Sequence, residues 1–101
     1  MKYNWTYEDD FTCCKEYLIF VFGRMTCDSL QDLVKRLEKL LPHIPSGSLR
    51  MKAQNIKALA LDEGLEDHLE FSPLANYSRQ CKRAFSDAVD ALEAEGRFKK
   101  R

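Results

Sequence analysis

The sequence predicts an all-α domain of four helices, and three observations predict it. Apolar residues recur at helical spacing in four separate stretches. Cap-forming residues open these stretches, and glycine or proline closes them. No stretch gives a convincing period-two alternation of a half-buried strand.

The first segment, residues 6–22, opens at Thr6, a good N-cap. Glu8, Asp9 and Asp10 follow, placing carboxylates where the helix dipole favours them. Phe11, Cys14, Leu18 and Phe22 recur at helical spacing, with Tyr17 and Phe20 widening the apolar face, and Gly23 ends the segment. The run from Leu18 to Phe22 is β-prone, so a strand competes there, but the cap and the continuous register favour helix. Trp5, just ahead of the cap, suits a staple against the first turns; stacking on a base is its alternative role.

The second segment, residues 29–41, carries Leu30, Leu33, Val34, Leu37, Leu40 and Leu41 as one stripe. Ser29 with Asp32 resembles a capping box, and Pro42 stops the helix. The link His43-Ile44-Pro45 is short and stiff. The third segment, residues 46–62, starts at Ser46-Gly47-Ser48 and turns Leu49, Ala53, Ile56 and Ala60 inward, with Gly64 as its stop. An acidic connector follows over residues 62–72, bearing Asp62, Glu63, Glu66, Asp67 and Glu70. The fourth segment, residues 73–95, reads Ser72-Pro73 as cap and first-turn proline. Leu74, Tyr77, Cys81, Phe85, Ala88, Val89 and Leu92 hold its register as far as Gly96. Residues 1–96 therefore form one helical domain, and residues 97–101 a basic tail.

Composition excludes more than it assigns. The chain has 101 residues, 45% of them apolar, which suits one modest core. Its 16 basic and 16 acidic residues cancel, so net charge points to neither nucleic acid nor membrane. Cys13, Cys14, Cys27 and Cys81 form no CxxC pair, and only His43 and His68 could join them. The expectation is reduced core thiols, with no metal and no cofactor. The apolar run from Tyr17 to Phe22 is too short to span a bilayer, and no secretion signal is legible; a cytoplasmic protein is expected. A phosphate loop, HExxH and GxSxG are all missing from the sequence, so no catalytic residues and no enzyme activity are expected.

Local charge is the informative feature. Residues 45–61 hold Arg50, Lys52 and Lys57 without an acid, and residues 73–86 hold Arg79, Lys82 and Arg83 without one. On a helix with Leu49, Ala53, Ile56 and Ala60 inward, Arg50, Gln54 and Lys57 line one outer flank, while Met51 and Asn55 lie on the other. Arginine pairs with guanine at two points and Gln or Asn with adenine, so this helix suits a DNA major groove. In that reading Arg50, Gln54 and Lys57 face the groove and Asn55 is a secondary base contact. Lys52, Arg79, Lys82 and Arg83 contact phosphates, and the backbone N–H groups at Ser46-Gly47-Ser48 offer a further phosphate seat. A plainly solvated helix face is the competing account, since Lys, Arg and Gln are good helix formers.

Two patches resemble known domains. Trp5-Thr6-Tyr7-Glu8-Asp9-Asp10 before an apolar helix is similar to the opening of Myb/SANT-like domains. Ser48-Leu49-Arg50-Met51-Lys52-Ala53-Gln54-Asn55-Ile56 resembles a helix in small bacterial domains found alone or beside HNH-type nuclease domains. The resemblance, over residues 5–61, implies a three-helix, helix-turn-helix-like core with helix 46–62 as reader; the long fourth helix, outside that span, is expected to pack across it. Myb repeats carry further tryptophans in their second and third helices, whereas this chain has only Trp5; Leu37 and Ile56 fill that space. No nuclease residues follow, so that activity does not carry over.

The function expected is double-stranded DNA binding by a small bacterial or phage regulatory or accessory protein. The alternative is a protein–protein interaction module, such as an adaptor or an inhibitor of a host defence system, which the balanced charge and acidic connector favour. A homodimer through helix 73–95 is a third reading, and no membrane partner is expected.

Overall fold

Helix α1 spans Tyr7–Tyr17, α2 Leu30–Leu40, α3 Ser46–Asp62 and α4 Arg79–Ala94. This architecture comes from a computed structural model, which describes residues 3–23 and 27–98. The expected N-terminal Met1-Lys2 and tail residues 99–101 lie outside the described residues. The fold is all-helical, with no strand among the described residues.

The caps follow from residue type. Thr6 Oγ1 accepts from the Asp9 N–H at 3.1 Å, and Ser29 Oγ accepts from the Asp32 N–H at 3.2 Å. Asp32 reaches back to the N–H of Asp28, one residue before the cap, so the box is displaced by a residue. Both Gly64 (φ 78°) and Gly96 (φ 71°) sit in the left-handed region. There Leu65 N–H bonds Ala60 O at 2.8 Å and Arg97 N–H bonds Leu92 O at 2.9 Å, closing α3 and α4 as Schellman motifs.

The β-prone run Leu18–Gly23 is neither α-helix nor strand but a π-helical turn continuing α1. Leu18 and Val21 point into the core, while Ile19, Phe20 and Phe22 lie half-buried against it. This wider turn lets a bulky run stay helical while committing only two side chains to full burial.

α1 packs chiefly against α4, and α2 against α3. The first pair runs in the same direction, with Tyr7 meeting Asp87 and Lys15 lying 3.5 Å from Glu95 further along. Tyr17 from α1, Leu18 from the π-helical turn, Leu33 and Leu37 from α2, Leu49 and Ile56 from α3, and Phe85 and Leu92 from α4 share one core. All four cysteines are free and buried. No described helix is long and apolar enough to cross a membrane.

The last helix departs from the sequence reading. It begins at Arg79, with Ser78 Oγ accepting from the Cys81 N–H at 3.1 Å, rather than at Pro73. Residues 65–78 instead run as an irregular strap across α3. Leu74 and Tyr77, expected on a helix, belong to this strap. The cause is tertiary: the strap's backbone groups find partners on α3, where Leu74 N–H donates to Gln54 O at 3.0 Å.

Candidate functional site

The outward strip expected on α3 is corrected by the strap. Gln54 Nε2 donates to Ser72 O at 3.1 Å, and Asn55 Nδ2 donates to Leu74 O at 2.8 Å and Asn76 Oδ1 at 3.0 Å. Lys57 is only 8% exposed. Its ammonium donates to Asp67 Oδ1 at 2.8 Å and Leu69 O at 2.9 Å, and lies 4.7 Å from the centre of the Phe71 ring. Asp67 also accepts from Tyr17 OH at 2.7 Å, so the acidic connector neutralises Lys57 and ties α1 to the strap. A lysine so paired is not offered to a groove.

Lys52 is likewise turned inward, at 6% exposure. Its ammonium lies 2.8 Å from Asp10 Oδ1 and 4.5 Å from the centre of the Trp5 ring. Burial works against its charge, but the Asp10 carboxylate more than offsets this and holds the lysine above its ordinary pKa. Gln80 donates to Asp10 Oδ2 at 2.8 Å and to Trp5 O at 2.9 Å, completing the surround of a fully buried carboxylate. Contact with the Cys14 thiol lowers the Cys81 thiol; burial opposes that and the Lys52 ammonium adds to it. Burial pushes Cys14 itself upward. Cys81 is fully buried, so the thiol end of this polar knot lies inside the fold.

Four of the expected contacts remain exposed: Arg50, Arg79, Lys82 and Arg83. The structure does not bring them all together. Arg79 and Arg83, one helical turn apart, share a hollow of about 310 Å³ with Tyr7 and Gln80. The Arg83 guanidinium lies 5.9 Å from the centre of the Tyr7 ring, whose hydroxyl is hydrogen-bonded to Asp87. That bond, with burial behind it, raises the Tyr7 pKa, so the phenol stays neutral at physiological pH. Lys82 faces a different hollow, of about 360 Å³, beside Asp62, Glu63 and Asp90 over Leu59, Phe85 and Val89. Arg50 is exposed on α3 and lines neither. At Ser46-Gly47-Ser48 the helix starts directly after Pro45, and the Ser46 hydroxyl bonds the Glu38 carboxylate, which puts an anion at the seat expected for a phosphate.

Trp5, Met51 and Asn55, singled out separately in the sequence, meet Tyr3, Asn76 and Gln80, which were not, in a groove of about 450 Å³ on the other side of Gln80. Trp5 and Tyr3, in edge-to-face contact at 5.4 Å, and Met51, which is 50% exposed, form its apolar walls. Asn55, Asn76 and Gln80 with Ser48 and Ser78 supply its polar groups. The signals visible in the sequence were the placement of Met51 and Asn55 on a common flank of α3 and the stacking role open to Trp5. Asn76 and Gln80 were hidden by the assignment of residues 73–78 to a helix. Compared with known protein families, curated proteins and solved structures, the chain matches none.

Proposed function

We propose that this chain is a non-enzymatic DNA-binding domain whose contact surface is the start of α4 rather than the outer flank of α3. The observation that carries the reading is the exposed pair Arg79 and Arg83 in one hollow with Tyr7, in a helix whose first turn holds no acid. Such guanidiniums form bidentate, charge-assisted bonds to phosphate. The helix dipole at the same end favours an anion. Arg50 is a peripheral contact at most, and Lys52 and Lys57 are withdrawn from the reading because their charges are spent inside the fold.

Duplex binding by fluorescence anisotropy tests the proposal. Arg79→Ala and Arg83→Ala should each weaken duplexes of unrelated sequence alike, as phosphate contacts do. Wild-type affinity should fall steeply between about 50 and 200 mM salt through counterion release. Salt-independent binding, or two alanine variants with wild-type affinity, refutes the assignment.

A protein-interaction reading has one observation in its favour. The hollow between the end of α3 and α4 combines an apolar floor of Leu59, Phe85 and Val89 with the carboxylates Asp62 and Asp90. Basic, apolar peptides suit that chemistry, and Asp90→Asn, at an exposed position in its lining, would weaken such binding while leaving DNA affinity intact. A homodimer through α4 gains no support, because Cys81, Ala84, Phe85, Ala88, Val89 and Leu92 are buried in this chain's own core.

A further inference from the structure

Resting on the nucleic-acid reading above, we infer that the groove of Trp5, Met51, Asn55 and Asn76 receives an unstacked base, so the domain prefers single-stranded nucleic acid to duplex. Among the described residues the groove has no carboxylate in its lining. The one charged side chain among them, Lys52, is already paired with Asp10 and covered by the Trp5 ring. The group that fits is therefore neutral. The walls are two aromatic rings and an exposed thioether, surfaces on which a flat ring stacks. The amides and hydroxyls around them both donate and accept, as the edge of a base requires. Asn55 is held in place by its bonds to Leu74 O and Asn76 Oδ1, so its carbonyl is presented in a set orientation.

Neighbouring chemistry selects a nucleotide over other flat, neutral ligands. Gln80 lines both this groove and the hollow of Arg79 and Arg83. A neutral planar group in the groove is thus joined to a cationic site on the far side of one side chain. A base with its backbone phosphate has that combination. In a duplex the bases are stacked and paired inside, so their faces do not reach Trp5; in a single strand they do.

Three labelled 12-mers of equal length measure this: a single strand, the same strand with abasic sites throughout, and a duplex. The single strand should bind about tenfold more tightly than its abasic counterpart, the order expected from one stacked base, and more tightly than the duplex. It should also quench the emission of Trp5, the only tryptophan. Met51→Ala and Asn76→Ala, at half-exposed or exposed positions that leave the core intact, should narrow the gap between the single strand and its abasic counterpart. Equal binding of base-bearing and abasic strands, without quenching, overturns the base groove and leaves the phosphate-binding reading standing. Failure of all three 12-mers to bind at low salt overturns both.

Discussion

Two lysines on α3 show how context decides the role of a charge. Lys52 and Lys57 lie five residues apart within a stretch that holds no acid of its own, yet each finds one: Asp10 from α1 and Asp67 from the strap. Each also lies against an aromatic face, Trp5 or Phe71. Removing one member of such a pair leaves a buried charge uncompensated. Lys52→Met should therefore destabilise the fold by about 3–5 kcal/mol, read as a lowered urea midpoint. Asp10→Asn combined with Lys52→Met should recover much of that loss. If Lys52→Met alone melts like wild type, the buried pair is not what holds Trp5 and α1 to α3. A second residue-scale prediction concerns acid. Burial would raise the Asp9 carboxyl, but hydrogen bonds from Tyr3 and His43 hold it below the ordinary value. Its contribution to stability is complete above the unfolded-state pKa, about 3.9, and is lost as pH falls through the lowered folded value. Tyr3→Phe should move the acid-unfolding midpoint of the protein upward, and an unchanged midpoint would contradict this role for Asp9.

At the scale of elements, the strap is the feature that organises the surface. Its backbone is satisfied by Gln54, Asn55 and Lys57, side chains whose types equally suit a nucleic-acid reader. Asn55→Ala would leave the Leu74 carbonyl without its donor, at a cost of about 1–3 kcal/mol. It should also speed limited proteolysis between residues 66 and 76; unchanged cleavage would show that the strap is held by other contacts. The caps at Thr6 and Ser29 and most of the inward stripes of α2 and α3 were legible in the sequence because they depend on near neighbours, although Leu40, placed on the α2 stripe, is 44% exposed. The start of α4 was not. Ser72-Pro73 and Ser78 are both good helix openings, and the choice between them is made by partners about twenty residues upstream on α3. The burial of Lys52 and Lys57 was hidden for the same reason, since each partner comes from another element. The π-helical turn escaped because the same β-prone residues suit a strand or a wider helix.

Across the whole molecule, balanced charge conceals a partition. Asp67 of the connector pairs with Lys57, and Asp62, Glu63 and Asp90 crowd Lys82, while Arg79 and Arg83 stay exposed at the other side of α4, next to a groove with no acid among its described lining residues. The radius of gyration, 12.3 Å, matches the ~13 Å expected for about 100 residues. The strap is thus packed on the body and covers α3 as part of the fold. The proposed nucleic-acid contact is thereby confined to the start of α4 and the adjoining groove. A two-dimensional amide spectrum titrated with a short single-stranded oligonucleotide tests it most directly. The account predicts that the Trp5 indole and the backbone signals of Tyr7 and residues 76–83 move, while those of Gln54 and Lys57 stay in place. Shifts centred on Arg50, Gln54 and Lys57, with residues 76–83 unmoved, would contradict it.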